Sequence, residues 1–491
     1  MAGAGRRRRW QAAGNARFPA TAMRRLLSPV LCLLATFPVA ASASAQEPPP
    51  APPAPTEVAR LLTIGQAPQP ARIARDVRTL AGFGTRHTLS ETASPTRGIG
   101  AARRWVQAEF ERIAAACGGC LEVRTVAEVV TDPPRIPRPT EVVNVIAIQR
   151  GSADPQRVVM MSGDLDSRVS DVMDATSDAP GANDNASGVA GTLEAARVLS
   201  QYRFPATIVY AVLSGEEQNL NGGRILARYA QAQGWRVEAV LNNDMIGNVA
   251  GIDGVLDNGT ARVFSEGTRA TETEAEARQR RATGGELDAP SRNLARYIAR
   301  MAAYVPQLQV RMVYRQDRFG RGGHHRPFNE AGMPAVRVME AHEHYDRQHQ
   351  DVRSEAGADG RVRRYGDTVD GVDPAYAAKL TALDAVTLAG LAGAPPPPAQ
   401  VRIEGAVSPD TTLRWTRPPA AQAPELAGYR VYWRDTTDPQ WTHNRWVGDV
   451  DHATLRGVVI DDFFFGVAAV ARDGSESPVV FPGPAGSFGG Y

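Results

Sequence analysis

Acidic side chains stand directly after apolar runs in three places: VVMMSGDLDSR carries Asp164 and Asp166, TIVYAVLSGEE carries Glu216 and Glu217, and VEAVLNNDMIG carries Asp244. A further acid, Asp184, lies in the Gly/Asn/Ser-rich stretch PGANDNASGVAG, just ahead of a long helical pattern. Open α/β sheets bind ligands at the carboxyl ends of their strands, so these groups are expected to converge on one edge. Carboxylates gathered in one crevice repel one another unless a cation neutralises them. The reading is therefore a divalent-metal site suited to hydrolysis. Any one of these acids alone would read equally well as a helix cap or a solvated loop acid; the Glu216-Glu217 pair after a buried run, together with the others in this order, favours the metal. A serine nucleophile does not compete, because Ser214 leads directly through Gly215 into the acid pair with no Gly-x-Ser-x-Gly elbow.

The elements that must position these acids follow from periodicity. Helical spacing at about 69–82 and 98–116 precedes strand-like runs at Val142–Ile148, Val158–Met161, Thr207–Leu213, Val237–Leu241, Leu308–Val313 and Ala335–Met339. Amphipathic segments at about 186–202, 222–234, 290–304 and 373–392 fall between or after them. Strands alternating with helices predict an α/β domain over 69–393, with a mixed, mostly parallel central sheet flanked by helices. Residues 255–290 break the pattern with a charge-rich stretch and read as a solvated insertion. After a proline linker at 394–398, short alternating strands at Thr412–Trp415, Tyr429–Trp433, His452–Leu455 and Phe463–Ala471 predict a C-terminal all-β sandwich over 399–485. Its aromatics are expected in the core, since a sandwich needs large inward residues at alternate positions.

The 491-residue chain is 43% hydrophobic and 22% charged, which excludes collagen-like, wholly disordered and multi-span membrane classes. Arg24 and Arg25, an apolar run to Ala41 and the small residues Ala43-Ser44-Ala45 predict a signal peptide over 1–45, hence secretion or periplasmic export with no membrane span after processing. Its removal takes away seven arginines and no acids, so the net charge moves from +2 to −5. That balance speaks against nucleic acid as a partner. Residues 46–68 read as a proline-rich tether. Cys32 leaves with the signal, and the remaining Cys117 and Cys120, in Cys-Gly-Gly-Cys, are expected to form a local disulfide in an oxidising compartment.

Two resemblances add to this reading. GYRVYWR, ATLRGV and FFFGVAAVARDGSES resemble a fibronectin type III domain, with Trp415 and Leu455 in the core places and protein or surface contact as an implied role. SGDLDS, GANDNASGVA, SGEEQNLNGG, NNDMIG and GGHHRPFNEAGMPAVRV, within about residues 70–393, resemble the co-catalytic zinc aminopeptidases, metallopeptidase family twenty-eight, and imply a zinc-exopeptidase type of fold. The resemblance implies Asp184 as the carboxylate bridging two metals, Glu217 as ligand to the first, Asp244 as ligand to the second, Glu216 as general base and Asp166 as the acid orienting a ligand of the second metal. Two positions depart from the family motif: Asp164 stands where it has a histidine, and strict spacing puts Arg347 where it has its last histidine ligand. Arginine does not bind zinc, so a local shift would present His349 instead. The first metal would then be held by Asp184, Glu217 and His349, and the second by Asp164, Asp184 and Asp244. The first set suits zinc; the second, all oxygen, suits Mn²⁺, Mg²⁺ or Ca²⁺. His325 and Arg347 are placed at the edge of the cleft.

The implied function is that of an exported aminopeptidase acting on peptide substrates through a metal-activated water, with Glu216 as general base. The alternative, motivated by the two departures, is a catalytically weak or inactive pseudopeptidase used for binding or adhesion.

Overall fold

The structure is a computed structural model and describes residues 59–358 and 360–488. The expected signal peptide and residues 46–58 of the expected tether lie outside the described residues.

The central sheet has eight strands: β1 (Glu122–Asp132), β2 (Ile136–Gln149), β3 (Asp154–Asp164), β4 (Ala206–Leu213), β5 (Arg236–Asn243), β6 (Thr260–Phe264), β7 (Gln309–Val313) and β8 (Ala335–Glu340), in spatial order 1-2-4-3-5-8-6-7. The four central strands β4, β3, β5 and β8 run parallel, as do β6 and β7, while β1, β2 and the β6–β8 pair are antiparallel. Strand side chains alternate between two cores, as their period of two requires. Val159, Met161, Ile208, Tyr210, Ala239 and Leu241 face one core, and Val158, Met160, Val209, Ala211, Val237 and Val240 face the other.

Helices α1 (Ala59–Ile64), α2 (Pro70–Ala81), α3 (Gly98–Ala116) and α4 (Gly188–Leu199) cover the first face; α5 (Asn221–Ala232) covers the second. An exposed helix, α6 (Glu274–Thr283), precedes α7 (Pro290–Met301), which joins the first face. The short α8 (His325–Glu330) returns to the second, and α9 (Pro374–Gly393) lies on the first. Helix α9 begins with proline at its first position, and the Asp373 carboxylate accepts the N–H groups of Ala375 and Tyr376. Among the described residues no helix is long and apolar enough to cross a membrane. Cys117 and Cys120 are disulfide-bonded just beyond α3.

Three local expectations change. Residues 59–64 were expected in the tether but form α1, whose Leu61 and Ile64 are buried, because two apolar residues one turn apart can seat against α9. Within the expected solvated insertion, Thr260–Phe264 is a strand of the central sheet; Arg262 interrupts its apolar pattern yet donates to the Glu340 carbonyl oxygen at 2.7 Å. Strand β1 went unread because it is an edge strand with mostly exposed side chains.

A hairpin of β9 (Arg353–Ala356) and β10 (Val362–Tyr365) lies outside the central sheet. Beyond Ala394–Pro398 the chain forms two three-stranded antiparallel sheets. One contains β11 (Ala399–Glu404), β12 (Thr411–Thr416) and β15 (His452–Leu455); the other contains β13 (Leu426–Asp435), β14 (His443–Gly448) and β16 (Phe463–Ala471). Trp415, Leu455, Tyr429 and Phe465 are buried in the core between them. This module packs against α7, where Arg296 Nε donates to the Pro439 carbonyl oxygen at 2.8 Å.

Candidate metal centre

The carboxyl ends of β3, β4 and β5 deliver Asp164, the Glu216-Glu217 turn and Asp244 to one edge of the sheet. The turn Ala182–Ser187 brings Asp184 to the same edge, with Asp184 and Asn185 out of helical geometry. Close backbone approach makes this possible: a Cβ on Gly163, near the end of β3, would lie 2.5 Å from the Gly188 carbonyl carbon at the start of α4.

The polar residues of GANDN brace that turn. Asp367 accepts the N–H groups of Asn183 (2.8 Å) and Asp184 (2.6 Å). Asn183 Nδ2 donates to Glu340 at 2.9 Å, and Asn185 Nδ2 donates to Asp164 Oδ2 (3.0 Å) and the Asn243 carbonyl oxygen (2.6 Å). Buried Arg86 donates to the carbonyl oxygens of Leu165 (2.8 Å) and Gly181 (2.9 Å), tying the end of β3 to the turn.

Asp184, Glu217 and His349 present one ligand atom each, all within 4.8 Å of one another. His349 Nε2 lies 2.9 Å from Asp184 Oδ2 and 2.8 Å from Glu217 Oε1. The backbone at His349 has φ +55°, a left-handed conformation costly for a non-glycine residue, and the ring faces the two acids. Arg168 spans the group from outside: its Nε meets Glu217 Oε2 at 2.7 Å and its Nη2 meets His349 Nδ1 at 2.6 Å. Two carboxylates and an imidazole aimed at one point are a donor set that fits zinc.

Electrostatics agree with that geometry. Burial disfavours the imidazolium of His349, but Glu217 and Asp184 outweigh it and push its pKa up to about 9. Burial also works against the Asp184 and Glu217 carboxylates, yet His349 holds both below their ordinary values. Glu216 differs: burial, then repulsion from Glu217 and Asp244, raise its pKa well above the usual carboxylate range. It is half-buried in the cleft wall, and among the described residues no group donates a hydrogen bond to its carboxylate.

The other expected site residues are placed differently. Asp164 is buried and saturated: Oδ1 meets His324 Nδ1 at 2.6 Å and Asn242 Nδ2 at 3.2 Å, and Oδ2 takes Asn185. Asp244 Oδ2 pairs with Arg337 Nη2 at 2.5 Å, with Arg318 Nη2 at 3.9 Å. Asp166 accepts the backbone N–H groups of Glu216 (3.1 Å) and Glu217 (3.0 Å) and so braces the acid pair. His325 is not at the cleft edge; it starts α8 with its ring buried and Nε2 at 2.8 Å from the Gln316 carbonyl oxygen. Arg347 is also off the cleft. It packs against Gly371 beside a small recess behind Asp184, because the left-handed turn gives the inward direction to His349.

The cleft encloses about 790 Å³ and is lined by Asp184, Glu216, Glu217, Asp244 and His349, with Arg135, Arg168, Arg224, Arg318, Arg321 and Arg326 around them. Glu343 orders part of this rim, pairing with Arg318 (2.9 Å) and Arg321 (3.0 Å). Arg168, Arg337 and Glu343 were not singled out from sequence. Arg337 carried a usable signal, a lone charge inside an apolar strand, which calls for a buried partner.

Comparison with known proteins gives consistent matches. The description "Peptidase family M28" matches residues 144–369. The chain is 41% identical to a Pyricularia oryzae protein described as a probable zinc metalloprotease, over 96% of this chain and 95% of that one. It is 43% identical to a protein of Leptosphaeria maculans with the same description, over 83% of this chain and 93% of that one. Among solved structures, a Legionella pneumophila LapA aminopeptidase is similar at 18% identity, covering 68% of this chain and 74% of that one with a TM-score of 0.48.

Proposed function

The chain belongs to peptidase family M28, and on that premise we propose that it is an exported zinc-dependent aminopeptidase that hydrolyses N-terminal residues from peptides. The observation that carries the reading is the convergence of Asp184, Glu217 and His349 from three distant parts of the chain beside Glu216. A divalent ion held by these three residues would supply Lewis acidity and lower the pKa of water at neutral pH.

The chain's own residues then divide the work. Glu216, whose carboxylate stands in the cleft beside the trio with no hydrogen-bond donor on it among the described residues, takes a proton from the attacking water and passes it to the leaving amine. Asp166 fixes the Glu216 and Glu217 amides and thereby the direction of both side chains. Gln348 Nε2, 3.2 Å from Asp184 Oδ2, steadies that carboxylate. The exopeptidase part of the reading rests on the resemblance to the co-catalytic zinc aminopeptidases, since the cleft lining itself is mixed, with acids interleaved among six arginines. The basic, apolar and small-residue order of residues 24–45 supports export. We read the C-terminal module as a fibronectin type III domain that docks protein or surface partners, since among the described residues none from 399–488 lines the cleft. The assembled trio supports this catalytic reading over a purely binding one.

Metal content and aminoacyl-anilide hydrolysis of wild type, His349→Ala and Arg347→Ala test the assignment. His349→Ala is expected to lose both metal and activity, and Arg347→Ala to keep both. A wild-type protein that stays metal-free and inactive in Zn²⁺, Mn²⁺ and Co²⁺ would overturn it.

A further inference from the structure

The family resemblance implies two ions, and the second set, Asp164, Asp184 and Asp244, does not fit one. Asp244 has a cation already: Arg337 Nη2 stands 2.5 Å from its Oδ2. Arg337 lies on β8 opposite Asn242 of β5, a register that points a buried strand position at the end of β5. Its other nitrogen is anchored, with Nη1 donating to Asp317 Oδ1 (3.2 Å) and Oδ2 (3.1 Å) and to the Gly322 carbonyl oxygen (2.7 Å). The side chain is wholly buried, so it has no solvent to swing into. Asp164, the other acid of the set, has both oxygens engaged by His324, Asn242 and Asn185 and is absent from the cleft lining. Among the described residues, Asp184, Glu217 and His349 are the one group whose ligand atoms cluster closely enough to hold an ion.

We propose that the guanidinium of Arg337 takes the place of the second metal ion, so that this chain binds one divalent ion, at Asp184, Glu217 and His349. A guanidinium supplies fixed positive charge, neither ligates a metal nor loses its proton, and so balances Asp244 while closing the position to an ion. Arg337 is a positioning residue in this scheme. It holds Asp244 at the wall of the cleft and touches no substrate. The inference rests on the reading of Asp184, Glu217 and His349 as the metal-binding trio.

The test is metal stoichiometry of the purified protein after dialysis against zinc and, separately, manganese, read by native mass spectrometry and elemental analysis. Wild type is expected to hold one ion, His349→Ala none, and Asp244→Asn still one, because Asp244 is an ion-pair partner here. Arg337→Met, where it folds by circular dichroism, frees Asp244 beside Asp184 while Asp164 stays engaged, and is expected to take up a second ion at those two acids. A folded variant that still holds one ion would overturn the role given to Arg337. Two ions in wild type would overturn the inference and leave the trio intact. One ion that survives His349→Ala but is lost in Asp244→Asn would place the metal at the second position and also overturn it. No ion in wild type would bring down the trio reading itself. The wild-type and Asp244→Asn measurements decide the matter whether or not Arg337→Met folds.

Discussion

Arg434, on β13 of the C-terminal module, donates from Nη2 to both oxygens of Asp288 in the α/β domain, at 3.0 and 2.9 Å. The same carboxylate takes Arg296 Nη1 at 2.8 Å, and all three side chains are buried. Removing one member of such a cluster leaves uncompensated buried charge. Asp288→Ala is therefore expected to lower stability by about 3–5 kcal/mol, read by urea denaturation. Aminoacyl-anilide hydrolysis well below the transition should be unchanged, since Asp288 lies outside the cleft lining. A loss of less than about 1 kcal/mol, the range of an exposed pair, would contradict the role given to this cluster.

Glu216→Gln keeps the size of the side chain and removes the base. Its kcat/KM should fall by about 10²- to 10⁴-fold with metal content unchanged, because Glu216 is not one of the three clustered ligands. Equal activity in wild type and variant would remove Glu216 from the mechanism.

Metal uptake should be coupled to protons. The pKa of His349 is pushed up to about 9 because Glu217 and Asp184 outweigh the burial that opposes its charge. Below that value the ring gains its second proton by displacing the Arg168 guanidinium, which faces Nδ1 at 2.6 Å and can only donate, and one proton must leave before Nε2 can ligate. Apparent zinc affinity is expected to rise by about tenfold per pH unit, flattening near pH 9. Calorimetry at pH 7 in two buffers of different ionisation enthalpy should show about one proton released per ion. Affinity that does not change with pH would contradict the geometry at His349.

Glu340 should shape the stability profile. Burial pushes its pKa up to about 8, against the donors from Asn248 and Asn183 that pull it down. An unfolded glutamate titrates near about 4.3. Between these values the folded chain holds a proton that the unfolded chain has released, so the contribution is full at low pH and fades as pH rises through the folded pKa. Glu340→Gln retains an acceptor and abolishes the titration, so its denaturation midpoint should fall less steeply than that of wild type from pH 5 to 8. An identical pH dependence in both proteins would exclude this role.

Much of the fold was legible because periodicity is a local property. The alternating runs that predicted β2 to β5, β7 and β8 do form the sheet, and the acids following three of them reach its carboxyl edge. Strand β6 was hidden by its brevity and by Arg262; α1 was hidden by its proline-rich approach. At the site, the residue types of the trio were readable from spacing and resemblance. The fates of Asp164, His325 and Arg347 were not, since each depends on where distant groups lie.

Sequence alone determined the class of chemistry: carboxylates after buried strands must meet at one edge, and gathered acids require positive charge. Tertiary structure decided what supplies that charge at each acid. Asp244 and Arg337 are 93 residues apart, and only the parallel pairing of β5 with β8 sets one against the other. His349 rather than Arg347 faces Asp184 and Glu217 because one left-handed residue turns the chain there. A side chain's type states what it can bind, but the fold's register and local dihedrals settle what stands within reach of it.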